Sequence, residues 1–404
     1  MAPLPLRVSK PSQAVLDARK VRSFVLIALR PLPSLTLLTP TQIVGINAET
    51  VTNVSSTDFP HHYPGEDHAW DKSKFEESFA VEIHKITPFE ASFSLIGIDA
   101  SVANAFRRIL LAEVPTLAIE YAFVNNNTSI IQDEVLAARL GLLPLKGGRE
   151  GLFDFLKWFP KPDENALGED KFARAYDYNT ISLSLKVECT RNENAAKGET
   201  DPRKLYHNAH VYAKDIEFKP FGRQSKYFSG DNVIAPTNPD ILIAKLRPGQ
   251  CIDVDMHAIK GVGSDHAKYS PVATASYRLL PTITITKPIL GKDAEKFARC
   301  FQSGVIALEP VTKKEAAQKG SEYEGHEGEK KAVVKNPAAD TVSRECLRHD
   351  EFNGKVKLGR VRDHFIFSIE SVGQWDSDEL FLESIQILRN KCHRLKGNLL
   401  SMAR

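Results

Sequence analysis

The sequence predicts an α+β fold: a discontinuous domain, a small antiparallel sheet with two helices, interrupted by a largely β insert domain. Three observations carry this. Two short alternating segments, around Val81 and Phe93, feed straight into a helical period that starts at Asp99. A matching strand and helix, His364–Glu370 and Asp376–Lys396, return only near the C-terminal end. Between them lie alternating segments at 181–187, 252–258 and 282–286 with no comparable helix. The expected division is 76–120 and 285–404 for the split domain and 121–284 for the insert, with 1–42 a disordered extension, 43–75 an extended arm and 312–345 a disordered loop.

Composition limits the function classes. The 404 residues can hold two or three domains, and 42% hydrophobic with 26% charged residues is ordinary for a globular protein. A net charge of +2 argues against a dedicated nucleic-acid binder. The five cysteines are scattered and form no CxxC, so neither a disulfide framework nor a structural zinc site is signalled. A reducing compartment follows.

Residues 1–42 are basic, with one acid, Asp17, and a six-residue apolar run, Phe24–Leu29. That run is far short of the roughly 20 residues a membrane span needs. The segment reads as an extension rather than a targeting peptide. The arm that follows holds His61, His62 and His68 without a thiol or carboxylate at ligand spacing, so they read as solvated loop histidines. Phe79, Val81 and Ile83 then alternate with polar neighbours, turn at Thr87-Pro88, and continue through Ala91, Phe93 and Leu95.

Asp99 is a good N-cap, and Val102, Ala105, Phe106, Ile109 and Leu110 form one helical stripe with Asn104, Arg107 and Arg108 off it. Pro115 should stop this helix near Glu113. After a polar break at Asn125–Asn127, Asp133–Leu140 reads as a short helix, with Gly141 in a left-handed C′ position.

The insert opens with a loop-rich stretch, 146–180, then alternates cleanly from Ile181 to Val187. Asn192–Lys204 is polar loop. Ala209–Phe218 and Asp240–Arg247 read as sheet or short helix, and Ile252, Val254, Met256 and Ala258 as a strand. The run Gly261–Arg278 places Asp265 and His266 beside Ser264 and Ser270, which invites an acid–base or nucleophile reading. No nucleophile elbow surrounds them, and no GxGxxG or GK[ST] context makes the glycines a phosphate cradle. A surface loop making protein contacts is the better reading.

Phe365, Phe367 and Ile369 face one side of the late strand. In the last helix Asp376 and Glu379 suggest a capping box, acids precede bases, and Gly397 should end it. Phe381, Ile385, Leu388, Cys392 and Leu395 step by 4, 3, 4, 3, an a/d seam continued by Leu399. Leu380 and Ile387 widen the apolar face beyond what one small sheet covers, which implies a second partner. Cys392-His393 is no zinc pair, since adjacent helical residues diverge.

Several runs occur together: Asn104-Ala105-Phe106-Arg107-Arg108, Asn127-Thr128-Ser129, Asp133-Glu134-Val135-Leu136, Arg139–Pro144 and Gly261–Arg278. In this order the chain resembles the alpha-like subunit family of cellular RNA polymerases, over nearly all of its length from Ile43. The resemblance implies a non-catalytic scaffold with no metal and no cofactor. Its dimer interface would comprise Val102, Phe106, Ile109 and Leu110 on one helix, and Phe381, Ile385, Leu388, Cys392 and Leu395 on the other. Asn104, Arg107, Arg108, Arg139, His266, Tyr277 and Arg278 would dock the large subunits, although composition alone would leave the two helix arginines a solvated face. Only Cys189 and Cys251 lie in the insert, so the zinc-binding cysteine cluster of the RNA polymerase II form is missing. With the runs Thr200–Asp215 and Lys245–Gln250, this points to the eukaryotic, fungal-type branch shared by RNA polymerases I and III. Implied partners are the small alpha-like subunit, the second-largest and largest subunits of both polymerases and the small zinc-binding polymerase subunit, with DNA reached only through the complex and no membrane. The implied place is the nucleus, nucleolus included. A subunit of a single polymerase, or a stand-alone nucleic-acid-binding protein, are the alternatives.

Overall fold

The computed structural model describes residues 43–402 apart from 56–57, 60–61, 64, 68, 150, 161–173, 197 and 319–320. The expected N-terminal extension, His61 and His68 lie outside the described residues. The organising elements, in order, are β1 (Ile43–Ile46), β2 (Val51–Thr52), α1 (Lys72–Ser78), β3 (Ala80–Ile86), β4 (Glu90–Ile96), α2 (Ala100–Ala112), β5 (Thr116–Asn127), α3 (Asp133–Gly141), β6 (Ile181–Glu188), β7 (Ile216–Phe218), β8 (Cys251–Gly261), β9 (Val272–Ile285), α4 (Gly291–Arg299), β10 (Ile306–Pro310), β11 (Lys330–Val334), β12 (Val356–Ser371) and α5 (Ser377–Met402). The α+β class expected from the sequence is borne out.

The chain divides into two compact units. One holds the described residues up to His84 with Ser92–Ala103 and Tyr277–Phe367; the other holds Lys85–Ala91, Asn104–Ser276 and the chain from Ser368. In the first unit the sheet order is β2-β1-β12-β4-β3, with β9 also paired to β12. Ile43 faces Val361 and Ile46 faces Leu358 across the antiparallel β1–β12 pair. Gly359 is required there, because a Cβ would lie 2.6 Å from the Ile43 side chain and 2.8 Å from Thr282 Oγ1. Phe93 stacks on Phe367 with ring centres 5.5 Å apart. Each such fully buried ring removes a large apolar area from water, worth about 1.5–3 kcal/mol.

In the second unit the sheet order is β7-β6-β8-β5. Ile181, Leu183 and Leu185 of β6, and Ile252, Val254, Met256 and Ala258 of β8, are fully buried, as their alternation predicts. The strand β5 was not foreseen. Its residues Thr116–Asn127 pair with β8 from Gly261 back to Ile252, with two register shifts. The asparagines read as a polar break are its last rung, and a boundary at 120 would cut a continuous ladder.

Other expectations need correction. Gly141 is helical rather than left-handed, and α3 ends through Leu142, whose N–H reaches Ala138 O. The run to Arg278 is a loop only as far as Pro271, since Val272 begins β9. The late segments from Val356 are one sixteen-residue strand. The 312–345 tract, expected to be disordered, carries β11, which pairs with β10 from Ile306↔Val334 to Pro310↔Lys330. Its few apolar residues suffice because the partner strand lies outside the tract and buries Ile306 and Ala332 beside Phe297. Thr312 and Glu315 close a capping box at its start, and Lys331 Nζ lies 2.5 Å from Glu315.

Candidate dimerisation and docking interface

Helix α2 starts where Asp99 accepts the Ser101 N–H at 2.8 Å, as its cap role requires. Ala103, Ile109 and Leu110 are buried, Phe106 is half-buried, and Val102 remains 38% exposed. The helix stops at Ala112, ahead of Pro115. Its last carbonyls are met by the Val262–Pro271 loop: Ser264 N–H donates to Ala112 O at 3.0 Å. Gly263 makes this possible, because a Cβ there would lie 2.2 Å from Leu111 O.

That loop is pinned from below. Lys268 Nζ lies 2.5 Å from Glu120 Oε2 and 2.9 Å from Ile119 O, and Tyr269 O–H donates to Glu120 at 2.8 Å. Burial pushes the Glu120 carboxyl up, but the hydrogen bonds from Lys268 and Tyr269 and the Lys268 charge outweigh it and hold it below the usual range. Burial and Glu120 raise the Tyr269 phenol far above its ordinary value. His266 is exposed and its Nδ1 accepts the Lys268 N–H at 3.1 Å. Ser270 Oγ donates to Val272 O at 3.1 Å. These contacts build a rigid loop, not a nucleophile with its base.

Helix α5 has a buried root and an uncovered remainder. Ser377, Leu380, Phe381 and Ser384 are buried, and Phe381 meets Phe106 edge-on at 5.3 Å. Ser377 Oγ donates to Thr87 O at 2.7 Å. Arg149 holds Glu383 at 2.6 Å while lying over the Phe153 and Trp375 rings. Further along, Lys391 Nζ ties to Glu113 at 2.5 Å, so α5 stays beside the end of α2. The seam itself then runs free of cover. Leu388 is half-buried and Cys392 exposed, while Ile385 is 41%, Leu395 60% and Leu399 66% exposed. Gly397 does not end the helix, which continues to Met402. An exposed helix interior tolerates glycine at about 1 kcal/mol relative to alanine. The extension adds Met402, 84% exposed, to the a/d line.

The expected docking residues separate into two groups. Arg107 is half-buried and donates to Asn104 Oδ1 at 3.1 and 2.9 Å, which leaves its guanidinium anchored; Arg108 is exposed. His266 is also exposed, whereas Arg139, Tyr277 and Arg278 are engaged within the chain. Arg139 donates to Leu242 O at 2.9 Å, and Arg278 to the Asp340 and Ala338 carbonyls. Tyr277 packs on Phe365 and Phe367. Sequence reasoning missed Glu113, Gly263, Lys268 and Met402. The first three act through contacts that no period reveals; Met402 was hidden by the early stop assigned to Gly397. Among the described residues no group of three or more His, Cys, Asp or Glu side chains is arranged to hold a metal.

A mixed α+β fold with a helix pair whose apolar line is left largely uncovered is the mark of a subunit built to bind another chain. The profile of the RNA polymerase Rpb3/Rpb11 dimerisation domain matches residues 92–392, and the chain belongs to that family. It is 51% identical over 355 residues, 88% of this chain and 98% of the relative, to RPAC1 of Saccharomyces cerevisiae, a subunit of DNA-directed RNA polymerases I and III. The Homo sapiens protein of that name is 46% identical over 86% of this chain and 92% of its own. The RNA polymerase II subunit rpb3 of Dictyostelium discoideum is 29% identical, over 79% of this chain and 94% of its own. The resemblance read from Asn104–Pro144 is thus borne out, and the chain is a polymerase subunit without catalytic chemistry of its own.

Proposed function

We propose that this chain is the assembly subunit shared by RNA polymerases I and III. It pairs with the small alpha-like subunit through α2 and α5, and the pair docks the second-largest and then the largest subunits, with the small zinc-binding subunit alongside. It works in the nucleus, including the nucleolus, on rRNA, tRNA and 5S rRNA transcription. The observation that carries the pairing is the apolar line of α5, which leaves its buried root at Phe381 and is largely uncovered on to Met402, with Ile385, Leu395, Leu399 and Met402 exposed and Leu388 half-buried. Covering Leu395 and Leu399 would contribute about 1.5–3 kcal/mol each, which suits a permanent interface. The higher identity to shared subunits than to a polymerase II subunit supports the choice of polymerases. Arg108 and His266, both exposed, and Arg107, held in place by Asn104, are the docking residues this reading favours.

Affinity purification of the tagged full chain tests this directly. Two distinct sets of large polymerase subunits, with one small alpha-like chain, are expected. A single set would reassign the chain to one polymerase, and purification without any large subunit would defeat the reading.

A further inference from the structure

Helix α5 carries a second signal besides its apolar line. From Gln386 to Met402 it holds Arg389, Lys391, Arg394 and Lys396 and no carboxylate. Bases near a helix C-terminus are usually credited to the macrodipole, whose influence fades within the last turn. Here the helix passes through Gly397 and runs to Met402. At about 1.5 Å per residue, Lys396 stands ~9 Å and Arg389 ~20 Å before that end. The dipole leaves these bases unexplained.

Their positions are informative. With Phe381, Leu388, Leu395 and Met402 at d and Ile385, Cys392 and Leu399 at a, the e edge of the seam is Leu382, Arg389 and Lys396, and the g edge is Ser384, Lys391 and Asn398. The g edge faces α2, where Lys391 is already neutralised by Glu113. The e edge is open: Leu382 is 43% exposed and Arg389 and Lys396 are exposed, and among the described residues neither base has an ion-pair partner in this chain.

We infer that the Arg389–Lys396 edge selects a partner helix with carboxylates along the side it lays against the seam, and disfavours a second copy of this chain. This rests on the seam being the partner interface. Two copies meeting at the seam, parallel or antiparallel, would set basic and neutral residues against each other at every e and g position. No carboxylate would answer them, and like charges at such edges are a recognised device against wrong pairing. An acidic partner meets the opposite situation. Edge charges of this kind act on partner choice and on association more than on the total affinity.

The test uses the full chain and the small alpha-like polymerase subunit of the same organism as probe. Binding is measured at low and high salt, with mass by light scattering, for the wild type, Arg389→Glu/Lys396→Glu, Arg389→Gln/Lys396→Gln and Leu395→Asp. The Glu pair is expected to weaken low-salt binding by about tenfold or more, ~1.4 kcal/mol. The Gln pair should lose less and should bind with a flatter salt dependence than the wild type. Leu395→Asp should abolish binding at both salt levels. If Leu395→Asp does so while the Glu pair and the salt response match the wild type, the inference fails and the seam stands. If Leu395→Asp binds normally, the seam itself fails. Should the Glu pair not fold, the Gln pair decides, since glutamine keeps helix propensity: an unchanged salt slope overturns the edge. A defined homodimer of the wild type alone would overturn the exclusion of a second copy.

Discussion

At the scale of residues, His364 shows how burial alone sets a chemical property. It lies in β12 between the buried Val361 and Phe365, and burial, with a smaller push from His84, lowers its pKa from 6.5 to about 4. The unfolded chain therefore takes up this proton first as the pH falls. Stability contributed by the neutral ring is full above the unfolded value and is lost between pH 6.5 and about 4, by roughly 3 kcal/mol at most. Asp363 works in the opposite sense, because burial raises its carboxyl, so the folded state takes that proton first and the loss is blunted at the acid end. His364→Gln should shrink the difference in urea midpoint between pH 7 and pH 5 relative to the wild type; an unchanged difference would refute the assignment. None of this was legible in the sequence. Alternation put Phe365, Phe367 and Ile369 on the buried face, but it placed His364 on the other, where solvent would be the default neighbour.

Elements were read more faithfully where one helix or strand carries its own period. The Asp99 cap, the stripe of α2 and the a/d steps of α5 are local patterns, and both segments are helices, although Ala103, off the expected stripe, is buried while Val102 is exposed. Their ends were less legible. Gly141 and Gly397 both read as helix stops, yet neither has a positive φ. Glycine permits the left-handed conformation without demanding it, and tertiary contacts decide. The long strand β5 escaped notice because its first residues are buried consecutively instead of alternating. Two substitutions separate the roles of the two helices. Leu388→Asp places an uncompensated charge in the seam and should abolish co-purification of the small alpha-like subunit, a loss of several kcal/mol. Arg107→Glu with Arg108→Glu should leave that pairing intact and weaken recovery of the second-largest subunit. If both interactions survive the arginine reversal, the arginines are solvated and the docking role falls.

For the whole chain, the balance between buried and uncovered apolar surface predicts dependence on a partner. Leu382, Ile385, Leu395, Leu399, Leu400 and Met402 are all exposed on one helix, a concentration that isolated soluble chains rarely present. Expressed alone, the full chain should give only a low soluble yield. Co-expression with the small alpha-like subunit should raise the soluble yield several-fold, read by size-exclusion chromatography. Equal soluble yield with and without that subunit would show that the helix needs no cover.

The family, the α+β class and the apolar line on the last helix are already written in the order of the residues. Those are properties of residue order, periodicity and composition, and they survive in one dimension. The tertiary structure decided what contact in three dimensions alone can: that Gly263 lets a distant loop cap α2, that Arg139, Tyr277 and Arg278 are occupied within the chain, and that a charged tract is ordered by β10. It also decided where α5 ends, and with it that Arg389 and Lys396 stand too far from the C-terminus to be explained by the helix dipole. Side-chain spacing encodes which face is apolar; only packing reveals which part of that face the chain leaves for another molecule.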